Sequence, residues 1–310
     1  MSHSAASLAQ FVNTQDALSR LDERAGRHPD RDGWGAQRLL IDACDANWVS
    51  GDLLDPHELA LQEADSATSL SSPIMMSARN RLRLHSQILQ GVGGKNISAE
   101  EIFRIFSRGR QAPDNDLALY DPDEDRAQPV SEWCSAWTES DGEISLRRVA
   151  AGLMHWIALN VFANARLIDA LLLAERMAVS ARLTRHIPLA LGIGARATKW
   201  RPSPYRPDED FEERFLQAAE ASARSGMLEL DAHDLWRERA GRHLKHRRST
   251  SHAGDILDLV AQNGVVSARS IEETIGLTVQ TAARHCNALA EAGVLREITG
   301  QKHFRIWGRG

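Results

Sequence analysis

Leu277-Thr278-Val279-Gln280-Thr281-Ala282-Ala283-Arg284-His285-Cys286-Asn287-Ala288-Leu289-Ala290-Glu291-Ala292-Gly293 is the stretch on which the fold turns. Ala282, Cys286 and Leu289 fall at i, i+4 and i+7, a stripe that a helix must press against other elements. Thr278 is placed to cap this helix and Gly293 to end it, so the reading is one helix over 278–292. Val279, Gln280, Ala283, Arg284 and Asn287 are left over on its other side.

The flanks complete a module. Upstream, Ile256, Leu259 and Val260 give a short amphipathic helix that Asn263-Gly264 stops. Ser267 then caps a second helix, with Ile271 and Ile275 one turn apart and Gly276 at its end. Downstream, Val294 to Ile298 is rich in β-branched and apolar residues, and Thr299-Gly300-Gln301-Lys302 is a turn. His303 to Trp307 follows as a strand with Phe304 and Ile306 on one face. Three helices and a hairpin in this order predict a winged helix-turn-helix over 253–310, with the wing tip at 299–303.

The free face of the third helix suits base reading in a major groove. Gln pairs bidentately with adenine N6/N7 and Arg with guanine O6/N7, and Gln280 and Arg284 stand one turn apart. Thr278 and Thr281 lie at the helix start, where hydroxyls and free backbone N–H groups hold phosphates. Lys302, His303 and Arg305 place cationic or ionisable groups in the wing. Double-stranded DNA is therefore the expected partner, with Thr278, Val279, Gln280, Thr281, Ala283, Arg284, Asn287, Lys302, His303 and Arg305 as its contacts. Winged modules also serve as protein-docking or dimerisation units, so DNA contact is one of two uses the pattern admits.

Charge distribution favours the first use. The net charge of −5 conceals twelve Lys or Arg against seven Asp or Glu from Arg237 to Gly310, which leaves the remainder near −10. A basic end on an acidic body neutralises phosphate locally while the body repels non-specific DNA. The densest basic run, Arg242-His243-Leu244-Lys245-His246-Arg247-Arg248, offers Arg242, Lys245, Arg247 and Arg248 as phosphate contacts, or equally a solvated helix end before the hinge Ser249-Thr250-Ser251-His252.

Composition excludes several classes. At 310 residues, 43% hydrophobic and 25% charged, the chain can fill two or three globular cores. Its longest apolar stretches, such as Leu167 to Ala174, are interrupted by Asp169 and are far shorter than the roughly 20 residues of a membrane span. The N-terminus has no basic-then-apolar order, so no signal peptide is read and a cytoplasmic location is expected. Cys44, Cys134 and Cys286 are scattered, without Cys-x-x-Cys spacing, and are expected to be reduced and buried. His243, His246 and His252 lack a carboxylate or thiolate at helical spacing, so no metal and no cofactor are expected. Nucleotide-loop, nucleophile-elbow, metalloprotease and dinucleotide motifs are all missing.

The rest of the chain reads as an all-helical body, which makes the fold class mainly α. Helices are expected over 15–24, 35–47, 56–64 and 75–89, and another opens at Ser98-Ala99-Glu100-Glu101 with Ser98 as cap. Pro113 to Pro129 is acidic and poor in apolar residues, so 107–142 is expected to be a loop or linker. Trp133 and Trp137 suggest a brief helix packed on the next one. Val149 to Val179 is the apolar heart, read as one helix or as two with a bend near 160–164, and 211–224 and 231–245 are two further helices. The expected domains are 1–106, 107–142, 143–248 and 253–310.

Two resemblances bear on function. Leu277 to Arg284, together with Ala288-Leu289-Ala290-Glu291-Ala292-Gly293-Val294-Leu295-Arg296-Glu297-Ile298-Thr299-Gly300, is similar to the C-terminal domain of Fic-family members that end in a winged helix. It is also similar to that of a group of mostly plasmid-borne alphaproteobacterial proteins frequent in rhizobia. For the second group the likeness extends to Asp16 to Arg24, Asp42-Ala43-Cys44, Gly51-Asp52-Leu53-Leu54 and Leu59 to Ala64. It implies a family with a DNA-binding end and carries no chemistry with it.

In the Fic family a His-Pro-Phe-x-x-Gly-Asn-Gly-Arg loop precedes an Arg-Leu-Leu helix. Arg166-Leu167-Ile168 and Leu171-Leu172-Leu173 resemble the helix, and His155 is in register with the His. Trp156, Ile157, Asn160, Val161, Phe162 and Ala163 replace the rest, so the nest and the Arg that would hold a phosphoryl donor are gone. His155 is then expected to be a hydrogen-bonded core residue and the chain not an enzyme. The leading expectation is a DNA-binding transcriptional regulator whose body serves self-association, partner binding or ligand sensing. A homodimer would match two half-sites about one helical turn apart. The alternatives are a divergent Fic-like nucleotidyl transferase and an antitoxin-like interaction protein.

Overall fold

In a computed structural model the chain is described over residues 5–64, 72–89, 96–107, 124–139, 145–159, 167–203, 206–245, 252–299 and 305–310. Among these, the helices are α1 (Ala5–Arg27), α2 (Arg31–Val49), α3 (Pro56–Ala64), α4 (Pro73–Leu89), α5 (Ala99–Ser107), α6 (Glu124–Glu139), α7 (Leu146–Leu159), α8 (Leu167–Ser180), α9 (Leu191–Thr198), α10 (Phe211–Leu244), α11 (Ala253–Asn263), α12 (Ala268–Ile275) and α13 (Val279–Glu291). The strands are β1 (Val265–Ser267), β2 (Leu295–Glu297) and β3 (Ile306–Arg309). The fold is mainly α, and among the described residues no helix is long and apolar enough to cross a membrane.

The chain divides into two compact units, and the division does not follow the four consecutive domains expected. One unit comprises Met1–Gly26, Asp42–Leu54 and Ser72–Ser225; the other comprises Arg27–Ile41, Asp55–Ser71 and Gly226–Gly310. Helices α2 and α10 each give one part to each unit, which periodicity within a single segment does not disclose.

Two further expectations are corrected. Residues 211–224 and 231–245 belong to one helix, α10, of 34 residues. Gly226 inside a helix costs about 1 kcal/mol relative to Ala, and the burial of Phe215, Leu216, Leu230 and Trp236 along α10 outweighs it. The acidic segment is partly helical, because Val130, Trp133, Cys134 and Trp137 form an i, i+3, i+4, i+7 stripe that buries and gives α6 a core face. Residues 108–123 and 140–142 of that segment lie outside the described residues, as does the expected bend near 160–164.

The first unit is built around α8, which packs on α4, α5, α7 and α9. Trp133 stands against Trp156 edge-on at 5.4 Å and donates its indole N–H to Gly152 O at 3.0 Å, so the tryptophan pair packs on the next helix as expected. Charged side chains are enclosed here too. Asp42 accepts from Arg81 Nη2 at 2.8 Å and from Gly192 N at 2.7 Å, and Glu175 accepts from Leu189 N at 2.8 Å and Leu191 N at 3.3 Å. The two carboxylates thus hold the start of α9, whose approach requires glycine: a Cβ on Gly192 would meet Asp42 O at 2.6 Å. Burial pushes the Asp42 carboxyl up, but Arg81 and His85 together pull it below the ordinary carboxylate value.

The second unit holds α11 to α13 and the sheet, ordered β1-β3-β2 and antiparallel throughout. Strand β1 was not foreseen, since Val265-Val266-Ser267 is too short to show a period; it pairs with β3 from Val265↔Gly308 to Ser267↔Ile306. The last described strand is β3, Ile306–Arg309, and His303 and Phe304, where the sequence pattern opens it, lie outside the described residues.

Candidate nucleic-acid interface

The core of the C-terminal module fixes which face of α13 is free. Ile256, Leu257 and Val260 of α11, Ile271 of α12 and Ala282, Cys286 and Leu289 of α13 are buried together with Val294, Leu295 and Trp307. Full burial of a Leu or Ile side chain stabilises by about 1.5–3 kcal/mol, so the stripe cannot roll outward without losing several such terms. Cys286 sits in this core as a thiol, its pKa pushed up to about 12 by burial, and Cys44 and Cys134 are buried thiols as well, so the three form no disulfide.

Caps set the helix ends. Ser267 and Ser270 form a reciprocal capping box at the start of α12, and Gly276, at φ 80°, closes it in the left-handed region that favours glycine. Thr278 caps α13, its Oγ1 accepting from Thr281 N at 3.3 Å while donating to Thr281 Oγ1 at 3.0 Å. The Thr278 hydroxyl is thereby committed to the helix, and the Thr281 hydroxyl proton remains for an outside acceptor.

The face opposite the core is open. Gln280 and Arg284 are exposed, and among the described residues neither has a hydrogen-bond or ion-pair partner. Val279 is 43% exposed beside them, and Ala283 is half-buried at their edge. Asn287 lies differently from expectation. It is half-buried and accepts from Arg305 Nη1 at 3.4 Å, and Arg305 is also 3.7 Å from Glu297. These two residues join α13 to the hairpin instead of standing free, because Arg305 immediately precedes β3 and leans back over β2. Lys302 and His303 lie outside the described residues.

The basic run is only partly in view. Arg242 is exposed and 3.7 Å from Glu238 one turn back, a solvated pair, and Lys245 is exposed. Arg247 and Arg248 lie outside the described residues. His155 departs from its expected role: it is exposed on α7, because the buried residues of that helix, Leu146, Val149, Ala150, Leu153, Trp156 and Ile157, define the other side.

Residues 253–309 match the family described as HTH DNA binding domain. The C-terminal module is a helix-turn-helix DNA-binding domain. The whole chain is also similar to the uncharacterized protein y4cF of Sinorhizobium fredii (strain NBRC 101917 / NGR234), at 24% identity over 362 residues covering 94% of this chain and 93% of that relative. The likeness therefore runs through the helical body and is not confined to the DNA-binding end.

Sequence reasoning missed how this domain is supported. Trp236 of α10 donates to Val294 O at 2.8 Å, and Arg237 binds Asp30 through Nη2 at 2.7 Å and Asp258 of α11 through Nη1 at 2.6 Å. Asp30 also meets His233 Nε2 at 2.9 Å. The Arg237 hydrogen bonds, opposed by burial, hold the Asp30 carboxyl down at about 2. Gln37 of α2 donates to Ala261 O at 2.9 Å, and Gly33 permits α2 to approach, since a Cβ there would lie 2.3 Å from the same oxygen. The i, i+3, i+4 spacing of His233, Trp236 and Arg237 shows one helix face in the sequence. Their partners, 203 and 207 residues earlier for Asp30 and 58 residues later for Val294, leave no local trace.

Proposed function

We propose that this chain is a transcriptional regulator that reads double-stranded DNA with α13 in the major groove and its wing on the adjacent backbone. The carrying observation is the exposed Val279-Gln280-Arg284 surface, locked outward by the buried Ala282-Cys286-Leu289 stripe within the matched DNA-binding domain. Gln280 and Arg284 supply hydrogen bonds to base edges, and Val279 supplies apolar contact of the kind a thymine methyl accepts. The start of α13, with Thr281, supports phosphate contact.

Within the second unit α2 holds α11, and α10 joins the core on which α13 packs, which supports a recognition helix presented from a packed body. We assign the remaining helices to self-association first, partner binding second and ligand sensing third, with a homodimer as the assembly that fits two half-sites. The rhizobial relative supports membership of the plasmid-borne alphaproteobacterial group. The reading is non-enzymatic, on the strength of the lost phosphate-holding residues after His155; labelled ATP giving a modified product with the parent but not with His155→Ala would reverse it.

Selection of bound sequences from random DNA at two salt concentrations tests the main proposal. A recovered sequence motif whose affinity falls with salt supports it; recovery of no motif at either salt refutes it.

A further inference from the structure

Within the second unit, α2, α3 and the sheet enclose a cleft of about 300 Å³, the lower end of the range in which proteins hold small molecules. Leu40, Ala60 and Ile298 give it an apolar floor, continuous with the small cluster of Ala60, Val265 and Ile306. Arg296, Arg309 and His57 line its walls, and no Asp or Glu is among the described lining residues.

Arg309 is the telling group. It ends β3, and its guanidinium donates to His233 Nδ1 at 2.8 Å and to Gln37 Oε1. Both acceptors are uncharged lone pairs, because Nε2 of His233 faces the Asp30 carboxylate and must carry the ring proton. The nearest help is a longer-range attraction to Glu229, whose two oxygens are already taken by Arg38 Nη1 at 2.9 Å each. A largely enclosed cation with no contacting carboxylate among the described residues leaves an uncompensated charge beside the cleft. Arg296, exposed on β2, adds a second guanidinium with no ion pair among the described residues.

We propose that this cleft binds a small organic carboxylate, its apolar body on Leu40, Ala60 and Ile298 and its charged end toward Arg296 and Arg309. Such an anion supplies the missing countercharge through charge-assisted hydrogen bonds. It bridges α2 and α3 to the sheet that adjoins α13. As an effector role this rests on the regulator reading: by linkage, a ligand whose affinity differs between free and DNA-bound protein changes DNA affinity by the same factor.

Isothermal titration of the full chain tests occupancy directly, apart from DNA. The probes are benzoate and hexanoate, each beside its uncharged primary amide, with inorganic phosphate as a further arm. At least one carboxylate is expected to bind and to raise the Tm, with its amide weaker by about tenfold or more. Arg296→Gln, a change at an exposed position, is expected to weaken the carboxylate by about tenfold and leave the ligand-free Tm unchanged. Absence of carboxylate binding at millimolar concentration, equal binding of acid and amide, or indifference to Arg296→Gln overturns the proposal. Phosphate binding as tightly as the carboxylates overturns the role of the apolar floor. Carboxylate binding in a protein that selects no DNA motif would sink the regulator reading and leave the cleft standing.

Discussion

Helices α8 and α13 are nearly the same length, 14 and 13 residues, and are put to opposite uses. Positions 170 to 178 of α8 are buried without a break, Glu175 and Arg176 included. In α13 only Ala282, Cys286 and Leu289 are. A helix covered on every side has no surface to offer a partner, and its polar groups must all be answered from within. A helix covered on one stripe is held as firmly by far fewer contacts and leaves its other face for recognition. The two should therefore fail differently when altered: α8 through stability, α13 through binding.

The sharpest test of that contrast is Glu175→Ala. It strips acceptors from Leu189 N and Leu191 N and removes a carboxylate 3.4 Å from the enclosed His85. Loss of one member of a buried polar network costs about 3–5 kcal/mol, read as a lower urea midpoint at unchanged slope. A loss below about 1 kcal/mol, the usual net worth of one hydrogen bond, would mean that α8 is not the closed pillar described.

On α13 the next largest effect is on DNA. Arg284→Ala should cost about 1–3 kcal/mol on the selected sequence and relax preference at one base position, while Lys302→Ala should weaken all sequences alike and reduce the salt slope. The stability of Arg284→Ala should stay within about 0.5 kcal/mol of the parent, as for surface changes generally. Uniform losses on every sequence for both variants would erase the proposed distinction between a base-reading helix and a backbone-holding wing.

How legible each helix was follows from the same contrast. The α13 stripe, the Thr278 and Ser267 caps and the stops at Gly264, Gly276 and Gly293 are local signals, and the structure places each where the sequence did. The α8 segment was readable as buried from its apolar run. The pairing of Arg176 with Glu101 and the contacts of Glu175 were not, since a charge in an apolar run does not announce its partner. The contact between Asn287 and Arg305 was hidden for a similar reason: both project from the expected face, but their meeting depends on how the hairpin folds back. The two-unit division and the α2, α3 and α10 support of the DNA-binding domain are pairings across most of the chain length, invisible to any window of spacing.

A smaller effect comes from Thr278→Ala, which removes the α13 cap and should cost about 1 kcal/mol, with Thr278→Ser restoring it. Because the capping hydroxyl is already engaged with Thr281, most of any accompanying DNA loss should follow the stability loss and be recovered by the serine variant. DNA loss that persists in Thr278→Ser would assign the threonine a direct contact through its methyl group.

The mildest probe is pH, and its sign follows from the second unit's own contacts. Burial, reinforced by Arg309 and opposed by Asp30, lowers the His233 pKa below 6.5. The folded protein therefore favours neutral His233, and its contribution to stability is complete above pH 6.5. As the pH falls below that value the unfolded chain takes up the proton first, and stability declines until the folded value is reached. Asp30, lowered from 3.8 to about 2, acts in the same direction in a separate, more acidic window. Protonating His233 would also turn Nδ1 into a donor facing the Arg309 guanidinium, 2.8 Å away, and so strain the β3 anchor of the DNA-binding domain. His233→Gln retains a neutral side chain and removes the titration. As the pH falls below 6.5 the parent should lose Tm more steeply than this variant, and parallel profiles would show that the network does not sense protons.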